Sequence, residues 1–556
     1  MRLIPVRLWA MAVLSGVVQV LPFPIAGPTP LWRTAFCWVA LVPLLMALMS
    51  HNKGGKPLTV LQAAGLGYAC GFTWYLGNCY WIYQTMYLYG GLAKPVAAGI
   101  LGLFCLYLGL YQVIFAALVG AFRRSRLGIQ GALLLSPFAW VAVELARARI
   151  TSFPWDLLGV AQVDNPLLIR MAPVTGAYGI SFVIAAVNAL WLVRIQVRER
   201  RYTRQLLTVA GVAIVVLYVV LLRRVQPPAM SRTMATATLV QHNLGVGTEA
   251  NSTHETVGEL LESYSAWSKN PARQVLEGVP ELAGTRVIGS GGFYVAKQDE
   301  PPYRYTNLVV WPESPAPFEG RDGQFQAAMS KLARDVGAPV IVGNLSVERD
   351  TGVKRGYDLF NSASMVTADG RFAGRYDKIH LVPFGEYVPF KKLFFFAGDL
   401  MGEVGTFDAG SKRTLFTAGG HRYGTFICYE SIFGDEIRQF VSEGAEVLVN
   451  ISNDGWYGDT SAPWQHLNMV RMRAIEDHRW VLRATNTGVT ASIDPYGRVV
   501  QSAPRHLRTA ISVQFGYEHD LTFYVRHGDV FAYGCALVTL AALGFSMVRR
   551  RGVMLD

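Results

Sequence analysis

Three polar residues of the 556-residue chain carry side chains that could together catalyse acyl transfer. Glu313 follows the apolar run 308–311, Cys428 ends the apolar run 423–428, and Lys378 lies in a polar stretch between them. A thiol with a pKa of about 8.5 is only a few per cent ionised at neutral pH, so a carboxylate is needed to take its proton. A lysine ammonium can stabilise the oxyanion of a tetrahedral intermediate. The residue types therefore indicate Glu313 as general base, Lys378 as oxyanion stabiliser and Cys428 as nucleophile.

Each of these residues, taken singly, also has a structural interpretation. A buried cysteine is usually a small apolar residue, and a Glu or Lys after a strand is usually solvated. Cys428 is nevertheless the only one of six cysteines in the polar half of the chain, so it has no disulfide partner there. No Cys and His pairs have the spacing of zinc ligands, and we predict no metal site.

Apolar runs of strand length alternate with helical patterns between residues 233 and 513, which predicts an α/β domain there. Such folds place reactive groups at strand ends. The segment 494–497 (Asp-Pro-Tyr-Gly) predicts a turn between two late strands. The predicted strands are 235–240, 308–311, 340–342, 423–428, 447–451 and 489–493, and the predicted helices include 256–268, 324–336 and 464–480.

The remaining sequence is too apolar for an ordinary soluble protein. Hydrophobic residues make up 51% of the chain and charged residues only 16%, against about 25% charged in typical soluble chains. About 20 apolar residues span a bilayer. Seven candidate spans lie near 8–24, 31–49, 58–80, 96–122, 129–146, 173–193 and 205–222, and an eighth lies near 530–548. We therefore predict a membrane domain over 1–226, an α/β domain over 233–513, and a last span with a basic tail over 526–556.

The basic residues predict how these spans are oriented. Residues 1–226 contain 19 Lys and Arg against 4 Asp and Glu. With a cytoplasmic N-terminus, 12 of these 19 lie in cytoplasmic pieces and 7 elsewhere, and Arg549, Arg550 and Arg551 of the C-terminal tail bring the cytoplasmic total to 15, as the positive-inside rule requires. The α/β domain then faces the outer side. The excess of basic residues is better explained by their positions in cytoplasmic loops than by nucleic-acid binding. We therefore expect no nucleic-acid partner.

The sequence around the three residues resembles that of the nitrilase, or carbon–nitrogen hydrolase, superfamily. Within that superfamily it is most similar to the bacterial apolipoprotein N-acyltransferases, on motifs spread over nearly the whole chain. The matching stretches are Val240–Asn243, Val310–Pro315, Tyr376–Pro389, Thr425–Glu430, Asn450–Gly458, Pro463–His466, Arg473–Glu476 and Arg483–Gly488, together with Phe153–Trp155 and Tyr178–Phe182 of the apolar half.

This resemblance implies an αββα sandwich on a membrane platform, in the bacterial inner membrane and facing the periplasm. It implies that Cys428 takes an acyl chain from a phospholipid as a thioester. The chain then passes to the α-amine of a lipoprotein's N-terminal S-diacylglyceryl cysteine, and no cofactor takes part. It further implies that Glu386 orients Lys378 or the substrate, and that Tyr429 and Glu430 shape the wall beside the nucleophile.

Two other functions remain open on the residues alone. One is a membrane-tethered amidase or nitrilase that acts on small amides, although tethering needs one span rather than seven. The other is a non-enzymatic scaffold or transporter, against which the intact Glu313, Lys378 and Cys428 argue. The chain departs from the family's pattern over 244–305, which is longer than usual, and the start of this stretch, 245–251, has neither the Pro-Gln nor the nearby Trp that the family usually carries. We expect His466 to be structural, because Lys378 and Glu313 already fill the roles that a histidine would have.

Overall fold

The chain forms a helical part and an α/β part in the computed structural model. The structure describes residues 3–196, 234–246, 255–274, 286–288, 293–295, 306–313, 318–349, 356–383, 385–387 and 407–548. Within the first range the helices are α1 (Val6–Val20), α2 (Leu31–Thr34), α3 (Val42–Leu48), α4 (Val60–Asn78), α5 (Trp81–Gln84), α6 (Lys94–Arg124), α7 (Gly128–Ile150) and α8 (Ala172–Gln196).

Among the described residues, five segments are long and apolar enough to cross a membrane, which makes this a multi-pass membrane protein. They are Leu31–Leu48, Lys94–Arg124, Gly128–Ile150, Leu168–Arg194 and Val530–Met547. The predicted span 205–222 lies outside the described residues, so the total of eight spans stays a prediction. Helix α1 ends at Val20, short of the predicted 24, because Pro22 and Pro24 follow it.

The predicted span 31–49 is not one helix. Helix α2 passes into a 3₁₀ turn (Ala35–Trp38), the backbone breaks, and α3 begins at Val42. Asn188 of α8 satisfies the backbone groups freed at the break: its Oδ1 accepts from the N–H of Leu41 at 2.9 Å and its Nδ2 donates to the carbonyl of Cys37 at 2.8 Å. A buried break in a membrane helix needs such a partner, since no water is available there.

The described residues of the α/β part form two sheets. The strands are β1 (Met234–Gln241), β2 (Ala272–Gln274), β3 (Arg286–Ile288), β4 (Phe293–Val295), β5 (Leu308–Val310), β6 (Val340–Arg349), β7 (Tyr357–Val366), β8 (Phe372–Asp377), β9 (Leu415–Ala418), β10 (His421–Ile427), β11 (Val447–Ser452), β12 (Val481–Thr485), β13 (Ala491–Ile493), β14 (Val499–Ser502) and β15 (Thr509–Gly516). A nine-stranded sheet has the order β3-β4-β2-β15-β1-β5-β6-β7-β8, and a six-stranded sheet has the order β14-β13-β12-β11-β10-β9.

Helices cover the outer faces of the sheets. They are α9 (Val257–Lys269), α10 (Gly323–Val336), α11 (Gly434–Ser442) and α12 (Ala462–Asp477); the short α13 (Phe523–His527) and the apolar α14 (Val530–Val548) follow. Side chains alternate along the strands. Leu239 and Val310 lie in an apolar cluster with residues of the six-stranded sheet, α11 and α12, whereas Val240 and Val309 lie in a second cluster with α9 and α10. This layering confirms the predicted αββα sandwich.

The strand directions bring the predicted site residues to one edge. Strand β5 pairs in parallel with β6, and β10 pairs in parallel with β11, so the carboxyl ends of each pair lie together. Strand β8 runs in the same direction as β6, since β7 is antiparallel to both. Glu313, Lys378 and Cys428 each follow the end of one of these strands. The turn at 494–497 joins β13 to β14 as predicted, with Gly497 at a φ of 75°.

Candidate active site

Cys428 begins a tight turn directly after strand β10. This nucleophile turn (Cys428–Ile432) is a 3₁₀ helix whose first residue has a φ of 49°, a left-handed conformation that is uncommon for a residue with a side chain. The carbonyl of Cys428 accepts a hydrogen bond from His466 Nε2 at 3.0 Å, and Asp454 holds His466 Nδ1 at 2.9 Å. His466 therefore contacts the backbone of Cys428, which supports its predicted structural role.

Lys378 lies between two carboxylates next to this turn. Its Nζ is 3.3 Å from Glu313 Oε1 and 2.9 Å from Glu386 Oε1, and its side chain is only 1% exposed. The amide nitrogen of Asn361 donates to the same two oxygens, at 2.7 Å to Glu313 and 2.8 Å to Glu386. One ammonium and one amide thus bridge both carboxylates, and the geometry agrees with Glu386 as the residue that orients Lys378.

The second oxygen of each carboxylate is held by the backbone. Glu313 Oε2 accepts from the N–H of Asn453 at 2.8 Å, and Glu386 Oε2 accepts from the N–H of Val382 at 2.8 Å. Asn361 and Asn453 were not predicted as site residues. Asn453 lies within the stretch 450–458 that matches the family, whereas Asn361, on β7, had no signal in the sequence.

Burial and charge set the protonation states of the site. Burial raises the pKa of the Cys428 thiol, and the Glu313 carboxylate raises it further, while Lys378 acts against both. Burial lowers the pKa of Lys378, but Glu313 and Glu386 outweigh that effect and leave it above its usual value. At neutral pH the site therefore holds a thiol and an ammonium, so the thiol must lose its proton as it attacks.

Glu430 fixes the end of β10 against the loop that carries Lys378. Its carboxylate accepts from the backbone N–H of Ile427 and of Ile379, and from the hydroxyl of Tyr376, each at 2.7 Å. Burial raises the pKa of Glu430, and the backbone N–H of Ile427 and the Tyr376 hydroxyl oppose that rise. Glu430 thus sets the position of Lys378 relative to the nucleophile turn.

Tyr429 contacts the helical part of the protein. Its hydroxyl donates to the carbonyl of Ser152 at 2.9 Å, in the loop that follows α7. Its ring packs against Phe433 and belongs to the same apolar cluster as the helical part. Tyr429 therefore joins the nucleophile turn to the helical part, a contact that the sequence did not predict.

One group of side chains outside this cluster has the composition of a metal site. In the described part of the chain, His478, Glu518 and Asp520 each offer a ligand atom, and these atoms lie within 4.8 Å of one another. His478 Nδ1 is hydrogen-bonded to Asp520 at 2.8 Å. His478 follows the end of α12 opposite to His466, so this group lies away from Cys428.

Two family models cover this chain. Residues 236–515 match the model described as carbon-nitrogen hydrolase, and residues 15–190 match the apolipoprotein N-acyltransferase N-terminal domain. Among solved structures, a Saccharomyces cerevisiae member of branch 10 of the nitrilase superfamily is 16% identical, with a TM-score of 0.35 over 52% of this chain and 93% of its own.

Curated relatives extend the match to both parts of the chain. The apolipoprotein N-acyltransferase of Geobacter metallireducens is 34% identical over 99% of this chain and 97% of its own length. That of Methylococcus capsulatus is 33% identical over 93% of both chains. Because these matches span the helical part and the α/β part together, the chain belongs to the apolipoprotein N-acyltransferase family.

Proposed function

We propose that this protein is an apolipoprotein N-acyltransferase that uses Glu313, Lys378 and Cys428 as a catalytic triad. It moves an acyl chain from a phospholipid to the α-amine of an S-diacylglyceryl cysteine at a lipoprotein's N-terminus, the last step of lipoprotein maturation. The observation that carries the proposal is the buried thiol beside a carboxylate-bridged ammonium, on a turn that packs against apolar helices. The names of the relatives supply the substrate class.

In the first half-reaction the Cys428 sulfur attacks the carbonyl carbon of a phospholipid ester, and Glu313 takes the thiol proton. Lys378 stabilises the oxyanion that forms. The carbon–oxygen bond to glycerol then breaks, and Glu313 returns the proton to the leaving alcohol. The products are a thioester on Cys428 and a lysophospholipid.

In the second half-reaction the neutral α-amine of the acceptor attacks the thioester carbonyl. Glu313 takes a proton from the amine, Lys378 again stabilises the oxyanion, and the carbon–sulfur bond breaks. Glu313 then returns the proton to the sulfur. An amide and a free thiol result, so the enzyme is regenerated without a cofactor. Glu386 keeps Lys378 in place in both half-reactions.

The proposal includes a membrane layout. Residues 1–226 form the membrane domain with about seven spans, 233–513 form the catalytic domain, and 526–556 contain a last span and a basic cytoplasmic tail. The excess of basic residues in the assigned cytoplasmic pieces supports a catalytic domain on the periplasmic side of the bacterial inner membrane.

Intact-protein mass spectrometry tests the first half-reaction directly. The purified protein is incubated with phospholipid vesicles alone and should gain the mass of one acyl chain. A diacylglyceryl-cysteine peptide should then remove it and appear as the N-acyl product. Cys428→Ala should gain no mass, whereas Cys535→Ala, which removes a buried cysteine of α14, should gain it normally.

Two results would overturn the proposal. If no adduct forms and small amides are hydrolysed instead, the protein is a membrane-tethered amidase. If a folded sample forms no adduct and hydrolyses nothing, the non-enzymatic interpretation replaces it.

A further inference from the structure

Helix α12 presents one buried face to the helical part of the protein. Gln465, Met469, Arg473 and Glu476 are spaced by four, four and three residues, so they lie on the same side of the helix. We call these four residues the docking face. Three of them are polar, although Gln465, Arg473 and Glu476 are each at most 3% exposed. Buried polar side chains need partners, and most of those found here belong to the helical part.

The first turn of α12 is held by Gln465. Its Oε1 accepts from the indole N–H of Trp155 at 2.8 Å, and its Nε2 donates to the carbonyls of Asn78 at 3.0 Å and Pro24 at 3.2 Å. Trp155 is fully buried and packs beside Trp81 and Tyr457. A single amide thus contacts the ends of three separate segments of the helical part.

The last turn of α12 is held at a break in helix α8. Gly176 has a φ of 63° and a ψ of −172°, so the helix is interrupted and the N–H of Ala177 loses its partner in the preceding turn. Glu476 Oε1 accepts from this N–H at 2.8 Å. A carboxylate from the catalytic domain therefore caps the second half of a membrane-spanning helix, where negative charge is favoured.

Arg473 extends this contact to the nucleophile turn. Its guanidinium is 2.7 Å from Glu476 Oε2 and donates to the carbonyl of Ile432 at 3.2 Å. Ile432 is the last residue of the turn that begins at Cys428. The other side of the turn is held by Tyr429, whose hydroxyl reaches the carbonyl of Ser152. Both ends of the turn are thus tied to the helical part.

We propose that Arg473 and Glu476 are positioning residues that hold the nucleophile turn at a fixed depth relative to the membrane helices. The inference rests on the proposed function, since it takes the acyl donor to be a lipid in a bilayer. Such an ester is held at the depth of the lipid interface, so the thiol has to be brought to it. A water-soluble ester diffuses freely to the thiol and has no such requirement. Loss of the link should therefore impair the reaction with phospholipid far more than the reaction with a soluble ester.

The test compares two acyl donors on the same variants. Cys428 is acylated either by phospholipid vesicles or by a water-soluble p-nitrophenyl butyrate, and both adducts are followed by intact mass. Arg473→Met removes the link to Ile432, and Glu476→Gln removes the ion pair. The double variant Arg473→Met/Glu476→Gln leaves neither charge unpaired in the interior, so it tests the link with the smaller effect on folding. Measurements are made at pH 8, because burial raises the pKa of Glu476 to about 7, against the opposing effect of Arg473.

We expect the double variant to lose about 10- to 100-fold in the rate with phospholipid, the size of effect that a misplacement of about 1 Å produces. Its rate with the soluble ester should stay within about 3-fold of the parent protein, because the charged cluster at Cys428 is unchanged. The matched control is Arg479→Met, which removes an equally buried arginine whose hydrogen bonds stay within the catalytic domain.

Parallel loss with both donors, or no loss with either, would overturn the inference. An equal selective loss in Arg479→Met would overturn it too, because the effect would then follow from general destabilisation. Failure of the proposed function is distinguishable, since the parent protein itself would then form no adduct with phospholipid.

Discussion

Replacing Lys378 by Met, alone and together with a change at Glu386, distinguishes the structural role of Lys378 from its catalytic role. Met has a similar length and no charge, so the substitution removes the ammonium and leaves little empty space. Glu313 and Glu386 then face each other with only the Asn361 amide between them. Two buried groups of like charge repel each other at short range, so the substitution should lower the stability of the fold.

The expected loss of stability follows from the distances between Lys378 Nζ and the two carboxylates. At an effective dielectric constant of about 20, contacts of 2.9 and 3.3 Å correspond to about 5 to 6 kcal/mol of attraction each. Desolvation of the ammonium offsets much of this, and breaking a buried ion pair typically lowers the free energy of unfolding by about 3 to 5 kcal/mol. For a domain of this size that corresponds to a melting temperature lower by roughly 6 to 20 °C.

Thermal unfolding and acyl-adduct formation are measured on Lys378→Met and on the double variant Lys378→Met/Glu386→Gln. The double variant has one carboxylate instead of two and should recover at least half of the lost stability. Its adduct formation should stay reduced by about 10²- to 10³-fold, the usual effect of losing one oxyanion donor. A single variant as stable as the parent would refute the electrostatic reasoning, and recovery of activity in the double variant would refute Lys378 as oxyanion stabiliser.

Four further substitutions test the surroundings of the nucleophile. Glu313→Gln removes a negative charge near the thiol, so it should lower the pKa of Cys428 while adduct formation is lost. Thiolate absorbance against pH checks this, and an unchanged titration would contradict it. Glu430→Gln should lower the free energy of unfolding by on the order of 3 kcal/mol. Tyr376→Phe removes only one of the donors to Glu430 and should lower it by about 1.5 kcal/mol. Equal effects in denaturant titrations would argue against Glu430 as the common acceptor. Tyr429→Phe removes one hydrogen bond, worth about 0.5 to 1.5 kcal/mol, to the loop that follows α7. It should slow acylation by phospholipid a few-fold without slowing acylation by a soluble ester. Equal slowing with both esters would show that Tyr429 does not act through its contact with that loop.

The elements that carry the triad could be predicted because their apolar patterns are local. The apolar pattern predicts a strand over 423–428, where β10 is His421–Ile427, and a helix over 464–480, where α12 is Ala462–Asp477. A strand buried on both faces is a short apolar run, and the polar residue that follows it marks the sheet edge. The positions of the apolar runs are therefore enough to predict that Glu313 and Cys428 each follow the end of a strand.

The contacts that hold the site together could not be predicted in this way. Asn361 lies 48 residues after Glu313, on a strand whose mixed composition gave no period. The break at Gly176 occurs inside an apolar pattern that is continuous in sequence, and its partner Glu476 lies 299 residues from Ala177. Such pairs depend on how the two parts of the chain dock, and hydrophobic periodicity contains no information about that.

The charge of the cluster links the two proposed half-reactions. The formal charges of the two carboxylates and the one ammonium sum to −1, next to the thiol of Cys428. This charge disfavours a preformed thiolate on Cys428. The acceptor's α-amine has an unperturbed pKa of about 7.7 to 8.0, so it arrives mainly as an ammonium, and the same charge attracts it. The ammonium gives one proton to the solvent before it attacks as the neutral amine. We therefore expect the second carboxylate to matter for both nucleophiles, although only Glu313 exchanges a proton with either of them.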